Sequence, residues 1–478
     1  MSTFSGLNTA GTALWAAQRA MDVTGQNVAN ANTDGYSRQR VDLQSVAAGA
    51  VPAMWSTGQQ VGQGVNADQV TRIRDAFLQV QAQGSHSSVA SLTVQDGTLT
   101  AVQQAFQEPG SNGIQAQLSS FWAGFGDIAN HPADSGARSQ LLERAQTLAA
   151  GIRSTNGSLD QQWGQTRDSL QALLTDANAT AASIAGLNQE IKAATQTGLS
   201  TNELADKRDQ LIMKLSEQIG ASSVDMGDGT LNVVVGGTTL VAGGTALGME
   251  LTGPNDSRGT ASAPLVIQTR PGGTPLRVGG TADGDLTSMT SIIPGYQKQL
   301  DGIAQQLATQ VNAAHQTGYD QDGNAGGKFF TDGAGGGTAV TAANLTVALT
   351  STRQVAAATV DPASAGGTLQ PDGTWSAVSS DSNLADTLFQ QRLLGTGADA
   401  TYNSMITGLG VQATATSTTL SAQSVISTNV DAAVESTSGV NLDEEMTNML
   451  QFQHGYAAAG KLVSTINQML DDLMNMVQ

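Results

Sequence analysis

The sequence predicts a mainly α-helical, elongated chain of several domains, interrupted by β-rich insertions. At both ends of the chain, apolar residues recur at alternating spacings of 3 and 4, the pattern of an amphipathic helix. The same rhythm marks long stretches of the middle, including residues 136–197, which contain no proline. Two segments rich in Gly and Thr, 221–285 and 326–380, break the helical pattern. A chain of 478 residues has room for roughly two to four domains.

The composition excludes several classes of function. Charged residues make up 13% of the chain and the formal net charge is −19, which disfavours binding to nucleic acid or to an anionic membrane surface. Cysteine is missing, which excludes disulfides, thiolate metal sites and cysteine nucleophiles. The four histidines are too far apart in sequence to suggest a shared metal ion. We therefore predict no nucleic-acid partner, no membrane partner and no metal or other cofactor.

The N-terminal residues predict no cleaved secretory signal, because a basic start followed by an apolar core is missing. The sequence contains no run of 18 apolar residues, so no membrane-spanning helix is predicted. These features alone indicate a cytosolic protein, unless an export route reads an uncleaved terminus.

The first predicted element is an amphipathic helix over residues 6–29. Polar side chains such as Gln18, Arg19 and Asp22 occupy the faces away from its apolar seam. The seam positions are Leu7, Ala10, Leu14, Ala17, Met21, Thr24 and Val28. An apolar seam in water is unfavourable, so this helix needs a partner.

The last predicted element is a second, longer amphipathic helix. Asp443, Glu444 and Glu445 lie in its first turn, where the helix dipole favours negative charge. Its seam positions are Met449, Phe452, Tyr456, Ala459, Val463, Ile466, Leu470, Leu473 and Val477. We predict that the two terminal helices pair as a coiled-coil-like hairpin and also contact the same helices of neighbouring copies.

A block of turn chemistry separates the first helix from the rest of the chain. Asn27, Asn30 and Asn32 favour side-chain to backbone hydrogen bonds, and Asp34-Gly35 is a strong tight-turn pair. Extended chain is predicted to resume at Tyr36. The block therefore looks like a shaped spacer between a terminal helix and the next domain.

The middle of the chain contains further predicted helices. Residues 136–197 read as one long helix, or as two in line with a bend near Gly157. Ser200-Thr201-Asn202-Glu203 fits a capping box for a helix that carries Leu211 and Ile219. Further helices are marked by Tyr296, Leu300, Ile303, Leu307 and Val311, and over residues 400–435 by Met405, Leu409, Val425 and Val430.

The two insertions read differently from the helices. Alternating residues and Asp-Gly turns predict β-hairpins in the first, and a small β-rich lobe or loose loop region is predicted for the second. The predicted division is a terminal assembly domain (1–45 with 438–478), a helical core (46–220 with 286–325 and 381–437), a β-hairpin insertion (221–285) and a small variable outer lobe (326–380).

Two short motifs resemble a nucleotide-binding loop and a calcium-binding loop, but each lacks residues that the binding site requires. Residues 455–462, GYAAAGKL, fit part of a phosphate-loop pattern, but Leu462 stands where Ser or Thr should hold magnesium. Residues 320–324, DQDGN, imitate the start of a calcium loop, but Ala325 and Thr331 replace the required Gly and Glu. We predict helix for the first and a polar turn for the second, and no catalytic residue.

Both ends of the chain resemble flagellar axial proteins, and within them the hook-associated protein 1 (FlgK) family of hook–filament junction proteins. The N-terminal motif that carries the resemblance consists of Asn27, Asn30, Asn32, Gly35, Tyr36, Ser37 and Arg38. The C-terminal motif consists of Gly439, Val440, Asn441, Leu442, Asp443 and Glu444, continued by Glu445. Residues from Asn312 onwards are also similar to that family.

The resemblance implies a structural, non-enzymatic protein outside the cell, located between hook and filament and exported without a cleaved signal peptide. The partners it implies are copies of the chain in a tubular lattice, the hook protein, the second hook–filament junction protein and an export chaperone on the C-terminal helix. Replacing Ile466 or Leu470 with Asp is predicted to block incorporation. Two alternatives are an adhesin that uses the β-rich lobes and a peptidoglycan-acting enzyme, which would need an acidic pair in a cleft that the sequence does not identify.

Overall fold

A computed structural model describes most of the chain. The described residues are 3–46, 62–259, 263–333, 339–361, 364, 366–371, 373–376 and 381–477. Long helices form most of the fold, and the strands are short and antiparallel. The predicted mainly α-helical class with β insertions is confirmed.

Helices dominate both ends and the centre of the chain. They are α1 (Thr3–Ala29), α2 (Ala76–Phe106), α3 (Ile114–Asn130), α4 (Ser135–Thr197), α5 (Asn202–Ile219), α6 (Gly280–Thr287), α7 (Ile293–His315), α8 (Asn383–Gln390), α9 (Ala398–Ser438) and α10 (Leu442–Val477). A π-helical segment, Ser288–Ile292, joins α6 to α7. The predicted long helix is therefore one helix, α4, which runs through Gly157 without interruption.

The strands form small antiparallel sheets. They are β1 (Gln39–Ser45), β2 (Val65–Arg72), β3 (Ala221–Asp225), β4 (Leu231–Val235), β5 (Thr238–Ala242), β6 (Thr245–Ala246), β7 (Gly248–Thr252), β8 (Val266–Arg270), β9 (Phe330–Thr331) and β10 (Thr346–Val347). The pairings are β1 with β2, β3-β4-β5-β6 in one sheet, β7 with β8, and β9 with β10. The hairpins predicted in the first insertion are present, but α6 begins at Gly280, inside the segment predicted as β.

One hydrophobic cluster connects most of the body of the molecule, from Leu99 in α2 to Leu409 in α9. Its aromatic centre pairs Phe121 with Phe329 and with Phe330, at ring-centroid distances of 5.8 and 5.5 Å. Both phenylalanines lie in the segment predicted as an outer lobe, and both are fully buried. The start of that segment is therefore anchored in the helical core, because its aromatic pair fills the core.

A buried asparagine fastens the β-hairpins to α4. The side-chain amide of Asn188 donates to the carbonyl oxygens of Leu231 (2.7 Å) and Gly243 (2.9 Å). Its Oδ1 accepts from the backbone N–H of Leu231 at 3.2 Å. The inward amide of α4 thus satisfies backbone groups at the start of β4 and just after the end of β5.

Two sequence-based details were wrong. The capping box at residues 200–203 is not formed: Thr201 makes no side-chain cap hydrogen bond, and Asn202 turns its side chain towards Val70 instead. Val425, which was assigned to the apolar pattern of α9, is 61% exposed. Tertiary contacts decide both cases, because local helix propensity is only a weak preference. Asn202 bonds to a residue distant in sequence, and among the described residues no other element covers Val425.

Helices α1 and α10 pack against each other at one end of the fold, so we refer to them as the terminal helix pair. A Cβ atom at Gly6 would lie 3.4 Å from Cδ1 of Ile466. The buried residues of this pair, such as Ala10 and Ile466, are not part of the large hydrophobic cluster. No described helix is long and apolar enough to cross a membrane.

Candidate assembly surface and its hinge

The predicted seams lie between the two terminal helices, but they are only partly covered. Among the seam residues, Ala10, Thr24, Ala459 and Ile466 are buried. Those that remain half-buried are Leu7, Leu14, Ala17, Met21, Val28, Met449, Phe452, Val463 and Leu470. Tyr456 is exposed, and the side chains of Leu473 and Val477 lie outside the described residues. Two helices alone leave such a seam open at its edges.

A second set of apolar side chains on the terminal helix pair points to solvent, and sequence reasoning missed it. We call this set the outward apolar face: Trp15, Met446, Leu450, Leu462, Met469, Met474 and Met476. Trp15 is 78% exposed and Met476 is 79% exposed. Part of this face could have been found in the sequence, because Leu462, Met469 and Met476 are seven residues apart and form a second apolar stripe beside the seam. Large apolar side chains exposed in this number on one pair of helices are typical of an interaction surface.

Trp15 stands beside a surface groove between α1 and strand β2. The groove has a volume of about 700 Å³, and its lining includes Leu7, Trp15, Arg19 and Val65. The Arg19 guanidinium donates to the carbonyl oxygen of Asp68 at 3.2 Å, so the hairpin β1–β2 is held against α1.

The segment that follows α1 and the start of α10 meet in a polar junction, which we call the hinge. Its centre is Asn27, which is 1% exposed. Its Nδ2 donates to the Gln39 carbonyl oxygen (2.8 Å) and to Glu445 Oε2 (3.0 Å). Its Oδ1 accepts from the Tyr36 hydroxyl (2.9 Å) and from the Gln39 backbone N–H (3.0 Å). All four hydrogen-bonding positions of the amide are used, so this position requires asparagine.

Glu445 is the second buried member of the hinge, at 2% exposure. Arg38 Nε donates to Glu445 Oε1 at 2.7 Å, while Arg38 Nη1 reaches the exposed Glu444 Oε2 at 2.8 Å. The interpretation of these acidic residues as a helix-dipole feature was therefore incomplete. One arginine from the N-terminal motif is bonded to two glutamates of the C-terminal helix.

Backbone and side-chain bonds attach the hinge to the body. The Arg38 N–H donates to the Ser438 carbonyl at the end of α9, and the Ile73 N–H donates to the Arg38 carbonyl, at 2.9 and 2.8 Å. Asn202 Nδ2 donates to Gln39 Oε1 at 3.1 Å. The hinge is thus a polar junction between the terminal helix pair, hairpin β1–β2 and α9.

Two arginines, one at the end of β2 and one just after it, add an ion-pair network to this junction. Arg72 Nη1 lies 2.7 Å from Asp206 Oδ1 and 2.9 Å from Asp209 Oδ2 of helix α5, and Arg74 Nη1 lies 2.7 Å from the same Asp209 oxygen. The predicted site did not include these residues, because partners more than 130 positions apart leave no local pattern.

The turn after α1 is built as its composition predicts. Asn30 accepts from the Thr33 hydroxyl at 3.3 Å, whereas Asn32 is exposed. Gly35 has φ +74°, and a Cβ there would collide with the side chain of Gln210. Burial raises the pKa of Tyr36 to about 12, helped by the carboxylates of Asp206, Glu445 and Glu203. The Tyr36 hydroxyl therefore stays protonated and acts as a donor.

The C-terminal motif forms the start of α10. Asn441 Oδ1 accepts from the backbone N–H groups of Asp443 (3.0 Å) and Glu444 (3.4 Å), which caps the helix. A Cβ at Gly439 would lie 2.5 Å from the Glu435 carbonyl oxygen, so a glycine is needed for the close turn from α9. Val440 is half-buried, and Leu442 and Asp443 are exposed.

The motifs that imitate binding sites form other structures. Residues 455–462 lie inside α10, and the carboxylate of Asp320 accepts from the N–H groups of Asp322 and Asn324 in a polar turn, at 2.9 and 2.8 Å. In the described part of the chain, no three His, Asp or Glu side chains are grouped as metal ligands.

Comparison with known proteins first defines the class. Residues 7–36 match the flagella basal body rod protein family, and residues 428–476 match the C-terminal domain of the flagellar basal body rod FlgEFG proteins. Both matches fall on the terminal helix pair and its hinge. The chain is thus an axial structural protein of the bacterial flagellum.

The body identifies the family. Residues 99–330 match the helical domain of flagellar hook-associated protein FlgK. Flagellar hook-associated protein 1 of Bacillus subtilis (strain 168) is 30% identical over 515 aligned positions, covering 99% of this chain and 98% of that protein. The proteins of the same name from Salmonella typhimurium (strain LT2) and Escherichia coli (strain K12) are 25% and 24% identical, each covering 98% of this chain and 99% of the relative. The chain belongs to the flagellar hook-associated protein 1 (FlgK) family.

A solved structure supports the fold. The flagellar hook junction protein FlgK from Burkholderia pseudomallei superimposes with a TM-score of 0.61 at 18% identity, covering 75% of this chain and all of that one. The chain is a structural component of the flagellum, and the relatives it matches are structural proteins.

Proposed function

We propose that this chain joins the flagellar hook to the filament as one layer of a tubular lattice, in which terminal helix pairs of neighbouring copies pack side by side. The observation that carries the proposal is the outward apolar face. Fully burying a Leu or Met side chain contributes about 1.5–3 kcal/mol, so covering several of them in each copy is a sufficient driving force for assembly. The seam residues named in the sequence analysis are proposed to hold the pair together and to supply the edges of the contact.

The hinge fixes the orientation of the proposed assembly surface relative to the body of the chain. Because Asn27 and Arg38 both bond to Glu445, and Arg38 also bonds to the end of α9, the terminal helix pair is fixed to the body where the chain changes direction. A helix pair attached in this way transmits load from the lattice to the body.

The family membership supports further parts of the proposal. We infer that the chain is exported from the cell without cleavage and acts in the extracellular part of the flagellum. Its proposed partners are further copies of itself, the hook protein, the second hook–filament junction protein and an export chaperone that covers α10 before secretion.

Substitutions on α10 test the proposal. Met469→Asp places a charge on the outward apolar face, whereas Gln468→Asp places the same charge at an exposed polar neighbour. We expect Met469→Asp to lower the number of copies in isolated hook–filament junctions at least about tenfold, equivalent to about 1.4 kcal/mol per contact, and Gln468→Asp to leave it unchanged. Normal incorporation of Met469→Asp, with a body that unfolds at the same temperature, would refute the proposed surface.

The Ile466→Asp substitution predicted from the sequence tests a different contact from Met469→Asp. Ile466 is 5% exposed inside the terminal helix pair, so Ile466→Asp is expected to separate the two helices before any lattice contact is tested. Among the described residues, no feature favours the adhesin or the peptidoglycan-acting alternative over this function.

A further inference from the structure

An imidazole bridges three helices of the body. His86 of α2 has its Nδ1 2.9 Å from Glu217 Oε1 on α5, and its Nε2 2.9 Å from Asp431 Oδ1 on α9. A carboxylate accepts hydrogen bonds and does not donate them, so both ring nitrogens must carry a proton for both contacts to be hydrogen bonds. The geometry therefore belongs to the imidazolium form of His86.

The contact is unusual for the two helices that it joins. Helix α9 contains no Lys, Arg or His, and its acidic residues are Asp399, Asp431 and Glu435. The charged or titratable residues of α2 are His86 and Asp96. His86 is consequently the one side chain of these two helices that can carry a positive charge, and the acidic residue of α9 that it bonds to is Asp431.

The position of the contact gives it influence over the hinge. Helix α9 runs antiparallel to α2, because Phe106 at the end of α2 contacts Tyr402 near the start of α9, whereas His86 bonds to Asp431 near its end. Many residues of α9 between Leu409 and Ser427 are exposed. Burial resumes at Ser427 and Val430, beside Asp431. The helix then ends at Ser438, whose carbonyl accepts from the N–H of Arg38 in the hinge.

We propose that His86, Glu217 and Asp431 form a pH-sensitive clasp that fastens the C-terminal turns of α9, and with them the hinge, to the body while His86 is protonated. When His86 loses its proton, one ring nitrogen presents a lone pair to a carboxylate. One of the two hydrogen bonds is then replaced by repulsion, and α9 is freed to separate from α2 in its last three turns. The clasp does not depend on the proposed lattice function.

The charges around the ring set the direction of the pH dependence. Burial alone lowers the pKa of His86, but the bonds to Asp431 and Glu217 outweigh it and hold that pKa above 6.5. Among the described residues, two other acidic side chains bond to α2, and both bond more than one turn away from His86. Asp283 of α6 accepts from Ser91 at 2.7 Å, and Asp75 caps the helix by accepting from the N–H groups of Phe77 and Leu78. A raised histidine pKa means that the stabilisation is complete below pH 6.5 and is lost as the pH rises through the raised value.

Hydrogen exchange of the full chain tests the clasp. After correction for the chemical exchange rate, peptides covering residues 425–438 should open about 2–5-fold more often above the His86 pKa than at pH 6, the range expected for a partly exposed ion pair. His86→Gln should remove that change, and His86→Lys, which keeps a positive charge, should keep the peptides protected across the range. His454→Gln, at an exposed site on α10, is the matched control.

Titration of histidines labelled at the ring carbon provides the second readout. His86 should titrate above pH 6.5, and Asp431→Asn should lower its pKa. A His86 pKa at or below 6.5, or an equal pH response of residues 425–438 in the wild type and in His86→Gln, would overturn the proposal. If His86→Gln does not fold, the wild-type titration and His86→Lys still decide the question.

Discussion

The buried carboxylate of Glu445 offers the sharpest test of the hinge. Replacing Glu445 with Ala removes the acceptor for Arg38 Nε at 2.7 Å and for Asn27 Nδ2 at 3.0 Å. The Arg38 side chain is 19% exposed and Asn27 is buried, so water replaces the lost bonds poorly. Glu444 provides a matched control, because its side chain bonds to the same arginine but is 59% exposed.

The expected loss follows from this burial. Removing one partner of a buried ion pair costs about 3–5 kcal/mol, and the partial hydration of Arg38 places Glu445→Ala near 3 kcal/mol. Removing an exposed partner costs about 0–1 kcal/mol, which is the expectation for Glu444→Ala. Glu445→Gln keeps an acceptor for Asn27 and should fall between the two.

Native-state hydrogen exchange measures the free energy that holds the terminal helix pair on the body. For Glu445→Ala, amides in residues 20–28 and 443–452 should exchange about 100-fold faster, the factor that corresponds to about 3 kcal/mol. Glu444→Ala should change exchange by less than about fivefold. Equal effects of the two variants, or a loss below about 1 kcal/mol for Glu445→Ala, would refute the hinge as described.

Three further predictions concern the fold around the site. Gly35→Ala should destabilise the hinge by about 1–2 kcal/mol, because φ is +74° and Gln210 blocks the space, whereas Gly25→Ala, with open space in α1, should stabilise the helix by about 0.5–1 kcal/mol in thermal unfolding. Asn188→Ala should cost about 2–4 kcal/mol of global stability in urea, because the buried N–H and carbonyl of Leu231 and the partly buried carbonyl of Gly243 lose their partner. Gln189→Ala, which loses one exposed bond, should cost less than about 1 kcal/mol. Burial raises the pKa of Asp285 to about 7, so the native state binds the Asp285 proton more tightly than the unfolded chain does. The free energy of unfolding should therefore fall by up to about 4 kcal/mol as the pH rises from 4 to 7. Asp285→Asn should abolish that fall, and an unchanged pH profile in this variant would contradict the prediction.

The long helices were predictable because their periodicity extends over many turns. The spacing of Leu7, Leu14 and Met21 defines α1 without any tertiary information, and the proline-free stretch of α4 does the same. The pairing of the terminal seams followed from the cost of leaving them in water. Glycine and asparagine chemistry likewise predicted that α1 ends before Gly35.

The hinge could not be predicted in the same way. The bond between Asn27 and Glu445 joins residues 418 positions apart, and no local pattern records it. The start of α5 was misread because Asn202 bonds to Val70 rather than acting in a capping box. Phe329 and Phe330 sit in a Gly-rich context that reads as loop, yet they fill the core, because a pair of large aromatic rings outweighs the local preference for turns.

Methionine oxidation, read by mass spectrometry, measures most directly whether the terminal helix pair is covered by neighbours on assembly. Met469, Met474 and Met476 lie on the outward apolar face, and Met226 is an exposed methionine on the body, 54% accessible. We expect all four to oxidise readily in the free chain, and the three on α10 to become protected in isolated hook–filament junctions while Met226 stays reactive. Equal oxidation of the α10 methionines in the free and the assembled chain would contradict the proposal that this face is the assembly contact.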